Sequence, residues 1–295
     1  MEAKDWDIKK AIGHKWKAYE VPVTNKDIIL YSLGIGFQQD PLNKAHFNFT
    51  YENAEEFQSF PTMNVIIAHR MSLEDLSIPG VPAFNPMMLL HGEESVEVFK
   101  AIEPDTVLLA QEELVDLQDK KKATVVVIET TIKNKEDGEL VAKITTNLFV
   151  RGIGGFGHKG TIKQVYPDAP KRSPDFSAEE KTYPNQAFSY RLNGDYNPLH
   201  VDPQMSEMGG FKVPILHGLC TYGFTARAVF EKYHKEDPMI LKKISGRFTS
   251  HVFPGETLVV DMWKEGNTVV FATKTKERGI VVLKGYCELN AGAKM

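Results

Sequence analysis

Pro214-Ile215-Leu216-His217-Gly218 runs into Leu219, Tyr222, Ala226, Val229, Phe230 and Tyr233, apolar positions that recur at the spacing of one helix face. With Pro238 just beyond, the pattern predicts an amphipathic helix over Leu219 to His234. Four β-rich runs follow it, Ile244–Phe253, Thr257–Trp263, Thr268–Thr275 and Ile280–Leu289. They are separated by Pro254-Gly255, Glu265-Gly266-Asn267 and Arg278-Gly279, breaks short enough to predict an antiparallel meander. One helix followed by a meander implies an α+β unit, a sheet curled around a central helix that needs apolar cover on several sides.

The first half of the chain repeats this order. Leu90-His91-Gly92 answers Leu216-His217-Gly218, and strands are expected again over Thr106–Leu117, Ala123–Lys133 and Glu139–Val150, with Asp137-Gly138 as a hairpin turn. From His91 to Pro104 there are 13 positions, but from His217 to Pro254 there are 37. At about 1.5 Å per helical and 3.3 Å per strand residue, the shorter span cannot hold a four-turn helix and a strand. The first copy is therefore expected to have lost most of its central helix, leaving apolar volume for a long ligand. The stretch from Arg151 to Phe176, rich in Gly, Pro, Lys and Asp, reads as a linker. The expected organisation is an N-terminal unit over 1–150 that binds an apolar chain, a linker over 151–176 and a C-terminal catalytic unit over 177–295.

Composition narrows the function. The 295 residues carry a formal net charge of −4, so no whole-chain basic field is present to hold nucleic acid or an anionic membrane. Two cysteines, Cys220 and Cys287, both in apolar stretches, build neither a disulfide framework nor a four-thiolate metal site. The charged start and the lack of an apolar run of about 20 residues predict a soluble intracellular protein without membrane insertion. Ala293-Lys294-Met295 has the small, basic, aliphatic order of a peroxisomal address, read by an import receptor, although it departs from Ser-Lys-Leu at two positions.

Chemistry concentrates in Gly194-Asp195-Tyr196-Asn197-Pro198-Leu199-His200. A carboxylate, an amide and an imidazole fall within six positions, between Gly194 and Pro198 turns that can converge them. An Asp and a His beside one water form a general acid and base pair, and Asn197 can orient substrate or water. The tetrapeptide alone is more often a surface turn with a capping Asp, but Gly218 downstream opens the predicted helix, where unpaired amides and the positive dipole end stabilise developing negative charge. His217 by itself reads as a packing or capping residue. Gly152-Ile153-Gly154-Gly155-Phe156-Gly157 spells a dinucleotide fingerprint, but His158-Lys159-Gly160-Thr161 after it does not predict the required helix. His200-Val201-Asp202 with His217 lacks a third metal ligand at a recognised spacing.

The two motifs together resemble the hydratase 2 branch of the MaoC-like dehydratases, and more closely the hydratase 2 domains of peroxisomal type 2 multifunctional enzymes. The similarity extends over Tyr31-x-Leu33-Gly34-Ile35-Gly36, Leu90-His91-Gly92-Glu93, Gly154-Gly155-Phe156-Gly157 and Met262-Trp263-Lys264-Glu265-Gly266-Asn267. The resemblance implies a double hot-dog fold and (3R)-specific hydration of trans-2-enoyl-CoA in peroxisomal β-oxidation, without cofactor or metal. It implies Asp195 and His200 as the catalytic pair, Asn197 as supporting amide and the Gly218 N–H as oxyanion donor. It also implies acyl-CoA contacts at His91, Gly92, Lys120 and Phe248, an acidic structural position at Glu52, and a homodimer. A non-catalytic acyl-CoA binder and an acyl-CoA thioesterase on the same fold are the competing expectations.

Overall fold

The computed structural model describes residues 6–68, 77–233 and 238–290. Ten strands run in chain order as β1 (Tyr19–Val23), β2 (Leu89–Val98), β3 (Thr106–Asp119), β4 (Ala123–Asn134), β5 (Leu140–Arg151), β6 (Phe176–Lys181), β7 (Leu241–Phe248), β8 (Thr257–Glu265), β9 (Thr268–Thr275) and β10 (Val281–Leu289). All belong to one antiparallel sheet ordered β1-β3-β4-β5-β2-β7-β10-β9-β8-β6. Each half is built alike: an edge strand, a helical connection, a strand at the centre of the sheet, then a three-strand meander that fills the space between. The halves meet where β2 pairs with β7, with Glu93 opposite Arg247 and Ser95 opposite Ser245. The two seam hydroxyls lie 2.6 Å apart and are buried.

The strands form where β-branched and apolar residues alternate; along β3, Leu108, Ala110 and Leu114 point inward. The long helix spans Gly218–Tyr233 and is buried at every position from Leu219 to Phe230; the end expected at His234 lies outside the described residues. Burial on all sides, not on one face, is tolerated because its polar groups find partners: Tyr222 Oη donates to Ile244 O at 2.7 Å, and Thr225 shares a 2.8 Å bond with Thr273. Gly223 lets the first half approach, since a Cβ there would stand 2.4 Å from Ile35.

One expectation is corrected. His91 and Gly92 lie in β2, not at a helix start, so matching them to His217-Gly218 misaligned the halves. The first-half counterpart of the long helix comes earlier, between β1 and β2, where a Pro61–Met63 turn leads into Asn64–Ala68 as Pro214 leads toward Gly218. A three-residue match carries less information than the order of elements. Beside the long helix, Phe37, Phe49 and Phe60 pack on one another, and Phe49 and Phe60 reach Phe230 with ring centroids 5.5 and 5.6 Å away. Residues 152–175 contain no helix or strand and are pinned to both halves. The Asp119 carboxylate accepts from Gly155 N and Gly157 N at 2.9 and 2.7 Å, and these bonds, led by that from Gly155, hold its carboxyl below the usual range. Buried Asp116 accepts from Thr161 N and Ile162 N at 2.8 and 2.9 Å, and Trp263 Nε1 donates to Arg172 O at 3.0 Å.

Candidate active site

The Pro198–His200 turn delivers His200 because Asn197 caps it, its side-chain oxygen accepting from Leu199 N at 3.0 Å. Asp195 is oriented by the same loop, its Oδ1 accepting from Asn197 N at 3.1 Å. His200 is 8% exposed, and its Nδ1 donates to the carbonyl of Ile215 at 2.8 Å. A carbonyl can only accept, so the neutral ring carries its proton on Nδ1 and presents Nε2 as the basic nitrogen.

Ile215 belongs to the stretch that enters the long helix. Leu216 N is bonded to Val252 O at 2.8 Å, and Gly218 is the first helical residue, within the turn whose amides have no intrahelical acceptor. A Cβ at Gly218 would lie 3.2 Å from the Phe248 ring, so the glycine keeps open the approach to its own N–H. Asp195, Asn197, His200 and Gly218 line one cleft of about 1430 Å³, which crosses the seam between the halves.

The first half supplies the opposite wall. His91 Nε2 donates to buried Glu94 at 2.8 Å, and the His91 ring meets Phe248 edge to face at 5.1 Å. Residues three apart on a regular strand face opposite ways; here the register shift between His91 and Glu93 brings His91 and Glu94 together at Gly92. Lys120, in the β3–β4 turn, also lines the cleft, joined by Lys159 and Lys163 of the connecting segment. Thus the cleft gathers the eight residues Asp195, Asn197, His200, Gly218, His91, Gly92, Lys120 and Phe248. Glu52 is exposed and not among its lining residues. Glu94, Lys159 and Lys163 went unread: the first needs the bulge to be seen, and the lysines look like ordinary charges on a loop.

Ligating atoms of Asp195, His200 and His217 lie within 4.8 Å of one another, a third candidate ligand that sequence spacing did not reveal. The two imidazoles are stacked, with centroids 3.7 Å apart and an interplanar angle of 26°, so their in-plane lone pairs run side by side and do not converge on one ion. Asp202 caps the Pro203–Met208 helix, its side chain accepting from Gln204 N at 2.8 Å. After Gly152–Gly157 no helix follows, and two of its amides are bound by Asp119, so the segment is not a pyrophosphate cradle.

Residues 21–152 match the model of the MFE-2 hydratase 2 N-terminal domain and residues 165–285 that of the MaoC-like domain. The peroxisomal enoyl-CoA hydratase 2 of Arabidopsis thaliana is 39% identical over 94% of each chain. The chain belongs to the hydratase 2 family of MaoC-like proteins. The mouse peroxisomal multifunctional enzyme type 2 shares 37% identity with this hydratase 2 chain over 95% of its length, which spans 38% of the mouse protein. A MaoC-like dehydratase from Phytophthora capsici superimposes with a TM-score of 0.86 at 35% identity, covering 97% of this chain and 98% of that one. The fold extends to a Mycobacterium tuberculosis protein described as a double hot-dog, at 10% identity and a TM-score of 0.57. The hydratase 2 architecture seen here is that α+β double hot-dog.

Proposed function

We infer that this protein is an enoyl-CoA hydratase 2, adding water to trans-2-enoyl-CoA to give the (3R)-3-hydroxyacyl-CoA in peroxisomal β-oxidation. The carrying observation is that one cleft joins Asp195, His200 and the Gly218 amide. The thioester carbonyl withdraws electrons from the double bond, so water attacks the β-carbon once charge gathering on the carbonyl oxygen is stabilised. The Gly218 N–H and the positive end of the long helix supply that stabilisation. His200 Nε2 takes one proton from the water as its oxygen bonds to the β-carbon, and returns it to the α-carbon; Asp195 accepts a hydrogen bond from the second water hydrogen. The hydroxyl and the proton therefore add to one face, and the catalyst ends as it began. Because both groups hold one water, the pH profile belongs to the pair.

The volume of the cleft suits a ligand as long as an acyl-CoA, and its apolar lining from Leu199, Leu216, Leu219 and Phe248 suits medium and long acyl chains. Lys120, with Lys159 and Lys163, offers charge to the phosphates of the CoA carrier. Peroxisomal location would follow from an import receptor reading Ala293-Lys294-Met295, which lies outside the described residues, and assembly would be as a homodimer. Among the described residues no helix is long and apolar enough to cross a membrane.

Incubation with trans-2-decenoyl-CoA and chiral analysis tests the reading: the R product is expected without release of free CoA. An S product, no conversion, or thiol release without hydration overturns it, the last in favour of a thioesterase.

A further inference from the structure

We propose that His217 is a positioning residue that holds the two halves of the reaction centre in register, an inference that rests on the hydratase reading of Asp195 and His200. Its ring is 1% exposed and meets two others: His200, with centroids 3.7 Å apart, and buried Tyr190, at 5.0 Å and an interplanar angle of 53°. Its Nε2 donates to the main-chain oxygen of Asp195 at 3.2 Å. One side chain therefore touches both members of the pair, fixing the plane of one ring and the backbone of the other residue. It is also chain neighbour to Gly218, and its own carbonyl accepts from Cys220 N at 3.1 Å and Thr221 N at 3.3 Å in the first turn of the long helix.

The consequence is geometric. Asp195 and His200 sit on a loop of short turns, whereas the oxyanion amide sits at the start of the long buried helix. His200 is tied to the helix entrance through its Nδ1 bond to Ile215 O. The His217 face backs the His200 ring, and the Nε2 bond stops the Asp195 main chain from drifting from the helix. A displacement of about 1 Å between catalytic groups costs on the order of a hundredfold in rate. Packing alone does not require histidine here: a phenylalanine could fill the same flat space, but would not donate to Asp195 O.

The test uses the full chain with trans-2-decenoyl-CoA. His217→Phe keeps the stack and removes the donor; His217→Gln keeps a donor and removes the flat ring. Each is expected to lower kcat 10- to 100-fold with KM within threefold of the unaltered protein. In an Asp195→Asn background, His217→Phe is expected to cost less than a further twofold, because the carboxylate that its donor positions is gone. Unchanged kcat in both single variants, or fully additive losses in the double variant, overturns the proposal. Asp195→Asn in the same assay separates the two levels: if it keeps full activity the hydratase reading fails, whereas loss there with no loss at His217 fails this inference alone. Should the His217 variants not fold, nitrogen NMR of the unaltered protein decides: His217 is expected as the Nε2–H tautomer and His200 as the Nδ1–H tautomer, and the opposite tautomer at either ring overturns the assignment.

Discussion

Asp195 and His200 divide the work because their surroundings differ. His200 is buried with its Nδ1 proton committed to Ile215 O, so its neutral form has one basic nitrogen and a fixed orientation. Asp195 is partly exposed at the cleft wall and takes an amide on Oδ1, which anchors the carboxylate without neutralising it. Asp195→Asn preserves shape and still accepts that amide, but replaces one carboxylate oxygen with an NH2 donor. His200→Gln retains a polar end without an imidazole. Both variants are expected to fold with unfolding midpoints close to that of the unaltered protein and to hydrate trans-2-enoyl-CoA at least about a hundredfold more slowly, the usual loss for one acid/base group. Near-normal turnover by either, in a stopped assay following the loss of enoyl absorbance, would remove that residue from the chemistry.

At the scale of elements, the connecting segment is a wall of the cleft. Its composition suggested a linker because Gly and Pro broke every periodicity, but the carboxylates that pin it, Asp116 and Asp119, lie in β3, far away in the chain. Sequence patterns report local periodicity well, and so the long helix and the meander strands were legible to within a few residues at most ends. They report long-range ties poorly. The edge strands β1 and β6 were not read: Tyr19–Val23 is five residues with Pro22 among them, and Phe176–Lys181 is largely polar. The spacing from Asp195 to His200 could be read because one loop carries it, while the stacking of His217 on His200 required two separate turns to meet. Pinning also puts Lys159 and Lys163 at the cleft. Changing both to alanine is expected to raise KM for the CoA thioester about tenfold or more with little change in kcat, and to leave KM for an N-acetylcysteamine thioester, which lacks phosphates, unaltered. Equal losses for both substrates would mean that the lysines hold the fold and not the carrier.

The whole molecule depends on contact between its halves, and Arg227 is a charge buried in it. Its guanidinium donates to Ile35 O at 3.1 Å in the first half and to Glu180 on β6, and pairs with Glu231 one helical turn on; Glu231 in turn accepts from His46 Nε2 at 3.1 Å. The second half therefore presents a cation that satisfies a carbonyl of the first, and a carboxylate that meets a first-half imidazole. Removing one partner from such a buried set is expensive because the others stay buried and uncompensated, on the order of 3–5 kcal/mol. Arg227→Met, similar in length and apolar, is expected to destabilise the protein by about that amount near pH 7 in urea unfolding. The pH dependence gives the mechanism away. Burial pushes the Glu180 carboxyl above its ordinary 4.5, with Arg227 pulling the other way. Without the guanidinium the folded carboxyl rises further, so the folded state binds the proton more readily than the unfolded chain does. Stability lost at neutral pH is then regained as pH falls through that raised value toward the unfolded carboxyl's, and the gap to the unaltered protein narrows. Replacing Glu180 and Glu231 with glutamine in the Arg227→Met background should narrow it at pH 7 as well. If the penalty is instead the same from pH 8 to pH 5, it comes from lost packing against Phe37 and Phe224, over whose rings the guanidinium lies, and the contact between the halves is held by shape and not by charge.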